Sequence, residues 1–111
     1  MVLVSHGTLA PGMHSVLTML GGPREDVMSA SLEDGMGADE YIARLNEVLA
    51  SVAAEDEIVL LGDIIGGSPL TNALNTISEK GLLGSTVAFG GMNLPMAMTA
   101  LMGLQTASLE T

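Results

Sequence analysis

Cysteine is absent from this chain, and with it go disulfides, thiolate catalysis and cysteine-ligated metals. Tryptophan is absent too, and one Tyr and one Phe are the whole aromatic content. The core must therefore be filled by Leu, Val, Ile, Ala and nine Met, a residue that packs irregular gaps well but fixes geometry less firmly. Basic residues are scarce: Arg24, Arg44 and Lys80 face thirteen acidic residues, for a formal net charge of -10. Such a surface repels phosphate backbones and anionic lipid, which excludes a nucleic-acid role and suits a partner with a basic docking face. No apolar run approaches the roughly 18 residues of a membrane span. Met1 to Val4 is too short for a signal peptide and lacks a basic leader, so the cytoplasm is the default location.

What is present is a core-forming composition. With 111 residues, 48% hydrophobic and 14% charged, the chain reads as one domain far from the disordered class. Val2-Leu3-Val4 is a short apolar run of the kind found in strands buried on both faces. A helical pattern follows from Pro11, with Met13, Val16, Leu17 and Leu20 on one stripe, and Gly21-Gly22-Pro23 stops it. Val27 to Leu32 reads as a second strand. A second helix runs from Asp39, a candidate cap, to about Val52, with Ile42, Leu45, Val48, Leu49 and Val52 inward and Arg44 and Glu47 outward. Ile58 to Leu61 is the strongest buried-strand signal. After Asp63 and the Gly66-Gly67 turn, Ser68 reads as an N-cap and Pro69 as a first helical residue, with Leu70, Ala73, Leu74 and Ile77 as the stripe. Thr86 to Phe89 is the fourth strand. Asn93 then caps a fourth helix carrying Leu94, Ala97, Met98 and Leu101, and Gly103 to Thr111 is weakly patterned.

Alternating strands and helices of this length predict an α/β three-layer sandwich. Its central sheet is mainly parallel, of about four strands in the order 2-1-3-4, with helices on both faces. The place for a site is the crevice outside the carboxyl ends of the strands. His6, Asp63 and Asn93 all fall there. Alone, His6 reads equally as a histidine satisfied by backbone, and Asp63 as a local turn residue. Together they read as a pair in which the carboxylate keeps one ring nitrogen protonated and turns the lone pair of the other outward. The amides around Gly66, Gly67 and Ser68, at a helix start, can receive phosphoryl oxygens. One His and one Asp make no metal site, and His14 reads as an exposed helix residue, so no metal and no cofactor are expected. The Gly66-Gly67-Ser68-Pro69 turn is neither the dinucleotide fingerprint nor the lysine-bearing phosphate loop. Ser5 and Ser68 lack the surroundings of a hydrolase nucleophile. The Met92, Met96, Met98 and Met102 group reads as core and interface filler.

Three stretches together resemble one family. They are Ser5-His6-Gly7 with Ala10 and Gly12, Asp63-Ile64-Ile65-Gly66-Gly67-Ser68-Pro69 with Asn72, and Gly91-Met92-Asn93-Leu94-Pro95-Met96. The chain is similar over essentially its whole length to the IIA component of the mannose-type (mannose/fructose/sorbose) family of the bacterial phosphoenolpyruvate-dependent sugar phosphotransferase system. The resemblance implies a phosphotransferase component acting through a transient phosphohistidine at His6. The phosphocarrier protein HPr would supply the group, and the cognate IIB would accept it and serve the membrane components IIC and IID. It implies that Asp63 orients the ring through Nδ1, that Ser68 belongs to the phosphoryl cradle with Gly66 and Gly67, and that Asn93 lies at the rim. The alternatives are the related phosphoryl carrier of a dihydroxyacetone kinase system and a non-catalytic regulatory or interaction domain of the same fold. Family members usually continue into a further helix, and some into a strand exchanged within a dimer. Residues 1–111 are thus expected to be a single IIA-type domain lacking that C-terminal helix. A homodimer is expected, since an uncovered fourth helix would expose Met98, Leu101 or Met102.

Overall fold

The structure, a computed structural model, describes residues 1–53 and 55–104. Four parallel strands, β1 (Val2–His6), β2 (Met28–Leu32), β3 (Ile58–Gly62) and β4 (Thr86–Phe89), form one sheet in the order β2-β1-β3-β4. The helices α1 (Leu9–Gly21), α2 (Ala38–Leu49), α3 (Ser68–Glu79) and α4 (Leu94–Gly103) alternate with them, and a short 3-10 turn at Leu83–Ser85 precedes β4. The expected three-layer architecture and strand order are both found.

Two-residue periodicity in the central strands builds two cores at once. Val2 and Val4 of β1, with Ile58 and Leu60 of β3, face a layer made by Tyr41, Leu45 and Leu49 of α2 and Leu70, Ala73 and Ile77 of α3. The intervening Leu3, Val59 and Leu61 face the opposite layer, where Ala10 and Leu17 of α1 meet Ala97 and Leu101 of α4. Both outer strands are short, five residues in β2 and four in β4, which limits the exposed sheet edge.

The chain moves outward from β1 to β2, then returns across β1 to place β3 on its other side. The strand order reverses between β1 and β3, so their carboxyl ends flank a crevice at the topological switch point. Register sets Val2 against Leu60 and Val4 against Gly62, which leaves His6 and Asp63 just past the paired segment on adjacent strands.

Several element boundaries differ from those read in the sequence. Helix α1 starts at Leu9 rather than at Pro11, because the buried Ser5 hydroxyl accepts the Ala10 amide at 2.7 Å and satisfies a first-turn donor. Its buried stripe is consequently Ala10 and Leu17 with Met13 half-buried, and Leu20 is exposed. In α2 the cap is Gly37, not Asp39, and the inward position is Tyr41 rather than Ile42; the helix ends at Leu49. Helix α3 is capped by the extended Gly67, so Ser68 lies within the first turn. Asn93 does cap α4, its side-chain oxygen accepting the Met96 amide at 2.9 Å. Leu101 is buried between α1 and α4, and Met102 is the exposed side chain of the group. Gly103 and Leu104 are described; the tail beyond them lies outside the described residues.

The Ser5 contact yields one stability expectation. A Ser5→Ala protein leaves the Ala10 amide without an acceptor inside the core. It should lose about 1–3 kcal/mol in urea unfolding. An unchanged midpoint would show that the amide finds another partner.

Candidate active site

Strand β1 delivers His6 to the crevice because its first four residues, Val2 to Ser5, are all buried and the fifth emerges. Strand β3 is buried throughout, and Asp63 follows its last residue. Across the switch point the two side chains meet: His6 Nδ1 lies 2.8 Å from Asp63 Oδ2. The His6 side chain is 46% exposed and that of Asp63 15%, so the carboxylate is set below a ring that reaches solvent.

Asp63 is held by three donors. Its Oδ2 accepts both the His6 ring and the His6 backbone amide, at 2.8 and 3.0 Å, while Oδ1 accepts the Ile64 amide at 3.0 Å. Partial burial alone would raise the pKa of this carboxyl. The His6 amide and ring and the Ile64 amide outweigh that effect and hold it below the usual carboxylate range. Near neutral pH it is ionised and can only accept hydrogen bonds, so Nδ1 carries the proton and Nε2 presents a lone pair. The local-turn role and the pairing role of Asp63 therefore coexist, one on each oxygen.

Behind this pair the β4–α4 connection is stitched to the end of β3. The Gly91 amide donates to the Asp63 carbonyl and the Met92 amide to the Gly62 carbonyl, both at 2.9 Å. Gly90 packs so closely on the loop that a side chain there would collide with Ile65.

The Gly66-Gly67-Ser68 turn lies beside the ring. A Cβ placed on Gly67 would sit 2.9 Å from His6 Cε1 and 3.0 Å from Ile64 Cγ1, so the imidazole rests over a backbone that only glycine leaves clear. First-turn amides of a helix have no intrahelical acceptor, and Pro69 contributes none. Those at the start of α3 are thus available for oxygens arriving near the ring. The Ser68 hydroxyl accepts a bond from Asn72 Nδ2 at 2.9 Å, which fixes it over the first turn. The Asn93 carboxamide oxygen is spent on its own helix, leaving it at the margin.

Two features of the site carried weak sequence signals. The close approaches at Gly67 and Gly90 depend on tertiary neighbours, and only the doubled glycines hinted at them. The buried Tyr41 hydroxyl, which donates to the Pro69 carbonyl at 2.7 Å, had no local signal. His14 is half-buried rather than exposed, its Nδ1 2.9 Å from the Ser29 hydroxyl. It forms no part of the His6–Asp63 pair. Ser5, spent on capping α1, is not presented as a nucleophile. A cavity of about 490 Å³ lies at the amino ends of the strands, where Glu25, Asp26, Asp56 and Glu57 line it without an imidazole. Its acidic lining does not resemble that of the His6 crevice. Among the described residues there is no cluster of three or more metal-ligating side chains, and no helix is long and apolar enough to cross a membrane.

A doubly wound α/β domain with an accessible imidazole, a buried-side carboxylate and helix-start amides at its switch point has the build of a phosphoryl carrier. The family model described as the PTS system fructose IIA component matches residues 1–111, and the chain belongs to that family, EIIA-man. Solved structures agree. The phosphotransferase system component EIIA from Streptococcus agalactiae is 25% identical with a TM-score of 0.80, over 95% of this chain and 78% of that one. A PTS IIA protein associated with the fucose utilization operon of Streptococcus pneumoniae is 26% identical with a TM-score of 0.77, over 91% and 74%. The mannose/sorbose specific IIA subunit from Enterococcus faecalis is 25% identical with a TM-score of 0.75, over 89% and 72%. As a member of this family the chain is a phosphoryl-carrier component of sugar uptake, a phosphotransferase working through phosphohistidine among the other components of that system.

Proposed function

We propose that His6 is the residue phosphorylated in this carrier, that Asp63 positions it, and that residues 1–111 act as one IIA domain between HPr and a cognate IIB. The observation that carries this reading is the 2.8 Å contact between His6 Nδ1 and Asp63 Oδ2 beneath an exposed ring. Nε2 attacks the phosphorus of phospho-HPr in line, and the Nε2–P bond forms as the donor's bond to phosphorus breaks. The ring gains positive character in that step, and the Asp63 carboxylate at Nδ1–H compensates it. Amides at Gly66, Gly67 and Ser68 donate to the phosphoryl oxygens, while Asn93 stays at the rim. In the second half-reaction a nucleophile of IIB attacks the same phosphorus, and the electron pair returns to Nε2. The IIB product then serves IIC and IID. A net charge of -10 favours encounter with basic docking faces. Exposed Met19, Leu20 and Met102 on the α1–α4 layer support self-association.

The test is direct labelling. Given phosphoenolpyruvate, the general phosphotransferase enzyme and HPr, the purified protein should gain one acid-labile phosphate, and His6→Ala should gain none. Label retained by His6→Ala would move the chemistry to another residue.

A further inference from the structure

The phosphoryl cradle is held from behind by a side chain on another helix. Tyr41, in the first turns of α2, is fully buried, and its hydroxyl donates to the carbonyl of Pro69 across 28 positions of sequence. Pro69 sits in the first turn of α3, and its own φ is fixed by the ring. Two residues earlier, Gly67 lies directly under His6. One residue later, Leu70 packs on Gly62 so tightly that a Cβ there would lie 3.0 Å from Leu70 Cδ1. The start of α3 is thus bounded by the imidazole, by the end of β3 and by the Tyr41 hydroxyl. Of these, only the hydroxyl is a directional bond from a fourth element.

We propose that Tyr41 is a positioning residue for phosphoryl transfer, setting where the Gly67 and Ser68 amides stand relative to His6 Nε2 through its bond to the Pro69 carbonyl. This rests on the assignment of His6 as the phosphorylated residue. A hydroxyl is the right group for this task. It adds a second donor to a carbonyl whose other lone pair serves the helix, so it fixes α3 without disturbing its ladder. Burial, and then the charge of Asp63, push the Tyr41 pKa up, so the hydroxyl keeps its donor proton. Small displacements of groups aimed at a transition state are expensive: about 1 Å can remove 100-fold in rate.

Tyr41→Phe keeps the packed ring and removes only the hydroxyl. Single-turnover transfer from phospho-HPr should slow about 10- to 100-fold, with KM for phospho-HPr within about twofold of the parent, because the docking surface is untouched. Amide NMR shifts at Gly67, Ser68 and Leu70 should move while those around the His14–Ser29 contact, between α1 and β2, stay in place. The comparator is Leu45→Val, which disturbs the same buried face of α2 one turn on and leaves the Tyr41 hydroxyl in place. It should keep the parent rate. Should the Phe protein fail to fold, Tyr41→Met, which lacks the hydroxyl and fills the space flexibly, must show the same slowing. A parent rate in the hydroxyl-free proteins overturns the proposal, as does an equal loss in Leu45→Val. Failure of the underlying assignment reads differently: His6→Ala would still take up phosphate.

Discussion

An Asp63→Asn protein is expected to transfer phosphoryl groups about 100- to 10,000-fold more slowly than the parent, the range spanned when a positioned proton partner is lost. The reason lies in counting donors. Three N–H groups, from the His6 ring, the His6 backbone and the Ile64 backbone, converge on two oxygens that only accept. Asparagine offers one oxygen and one NH₂. If the oxygen stays toward His6, the NH₂ faces the Ile64 amide. If it turns, the NH₂ faces His6, and the ring relaxes to the tautomer whose Nε2 carries hydrogen and has no lone pair to offer. Either arrangement leaves a donor unmet and should lower stability by about 1–3 kcal/mol. Stopped-flow transfer and urea unfolding of the same protein read both effects. Parent-like transfer would remove Asp63 from the chemistry.

The pH dependence of that stability difference follows in sign. The folded pKa of Asp63 is depressed, so its contribution is fully present above the unfolded carboxyl value of roughly 3.9 and is lost as pH falls through the lower folded value. The gap between parent and Asp63→Asn should hold steady from neutral pH to about 4 and close only below that. Parallel urea titrations at several pH values check it, and a gap that closed already near pH 6 would mean that Asp63 is not held ionised.

The second large effect is expected from Gly67→Ala. The new Cβ would stand 2.9 Å from His6 Cε1 and 3.0 Å from Ile64 Cγ1, below any ordinary carbon–carbon contact. Gly67 has φ -79 and ψ 156, which alanine adopts without strain, so the backbone need not move. The ring does, because 46% of its side-chain surface faces solvent and it can swing outward. Transfer should fall about 100-fold as Nδ1 leaves Asp63 and Nε2 leaves the helix amides. Thermal stability should change by about 1 kcal/mol or less, the scale of a poorer cap. A protein that kept its rate but lost several degrees of melting temperature would reverse this account.

Much of this was legible in the sequence because it follows from periodicity. The continuous apolar runs at Val2 and Ile58 announced central strands, and short connections then required parallel neighbours with the functional residues on one edge. That reasoning places His6 beside Asp63 without any knowledge of side-chain positions. It falters where tertiary neighbours decide. Leu20 fits a helical stripe as well as Ala10 does, but the Ser5 cap starts α1 earlier and rotates the buried face to Ala10 and Leu17. Ser68 has the better capping side chain, yet the extended backbone of Gly67 takes the position because His6 packs against it. Tyr41 has no local cue at all: its partner, the Pro69 carbonyl, lies 28 positions away.

The reversal of strand order between β1 and β3 also governs when the site comes into being. His6 is synthesised well before its partner carboxylate, which lies 57 positions later, and the backbone of Gly91 and Met92 ties down the end of β3 later still. None of these contacts is local, so no early helix or hairpin can assemble them. The His6–Asp63 pair is complete only once both crossovers have closed and the fourth strand is in place, among the slow steps of a parallel sheet. With His6 as the proposed carrier, a molecule that holds the phosphoryl group is one that has finished folding, and the charge state of the pool reports on the integrity of the chains within it.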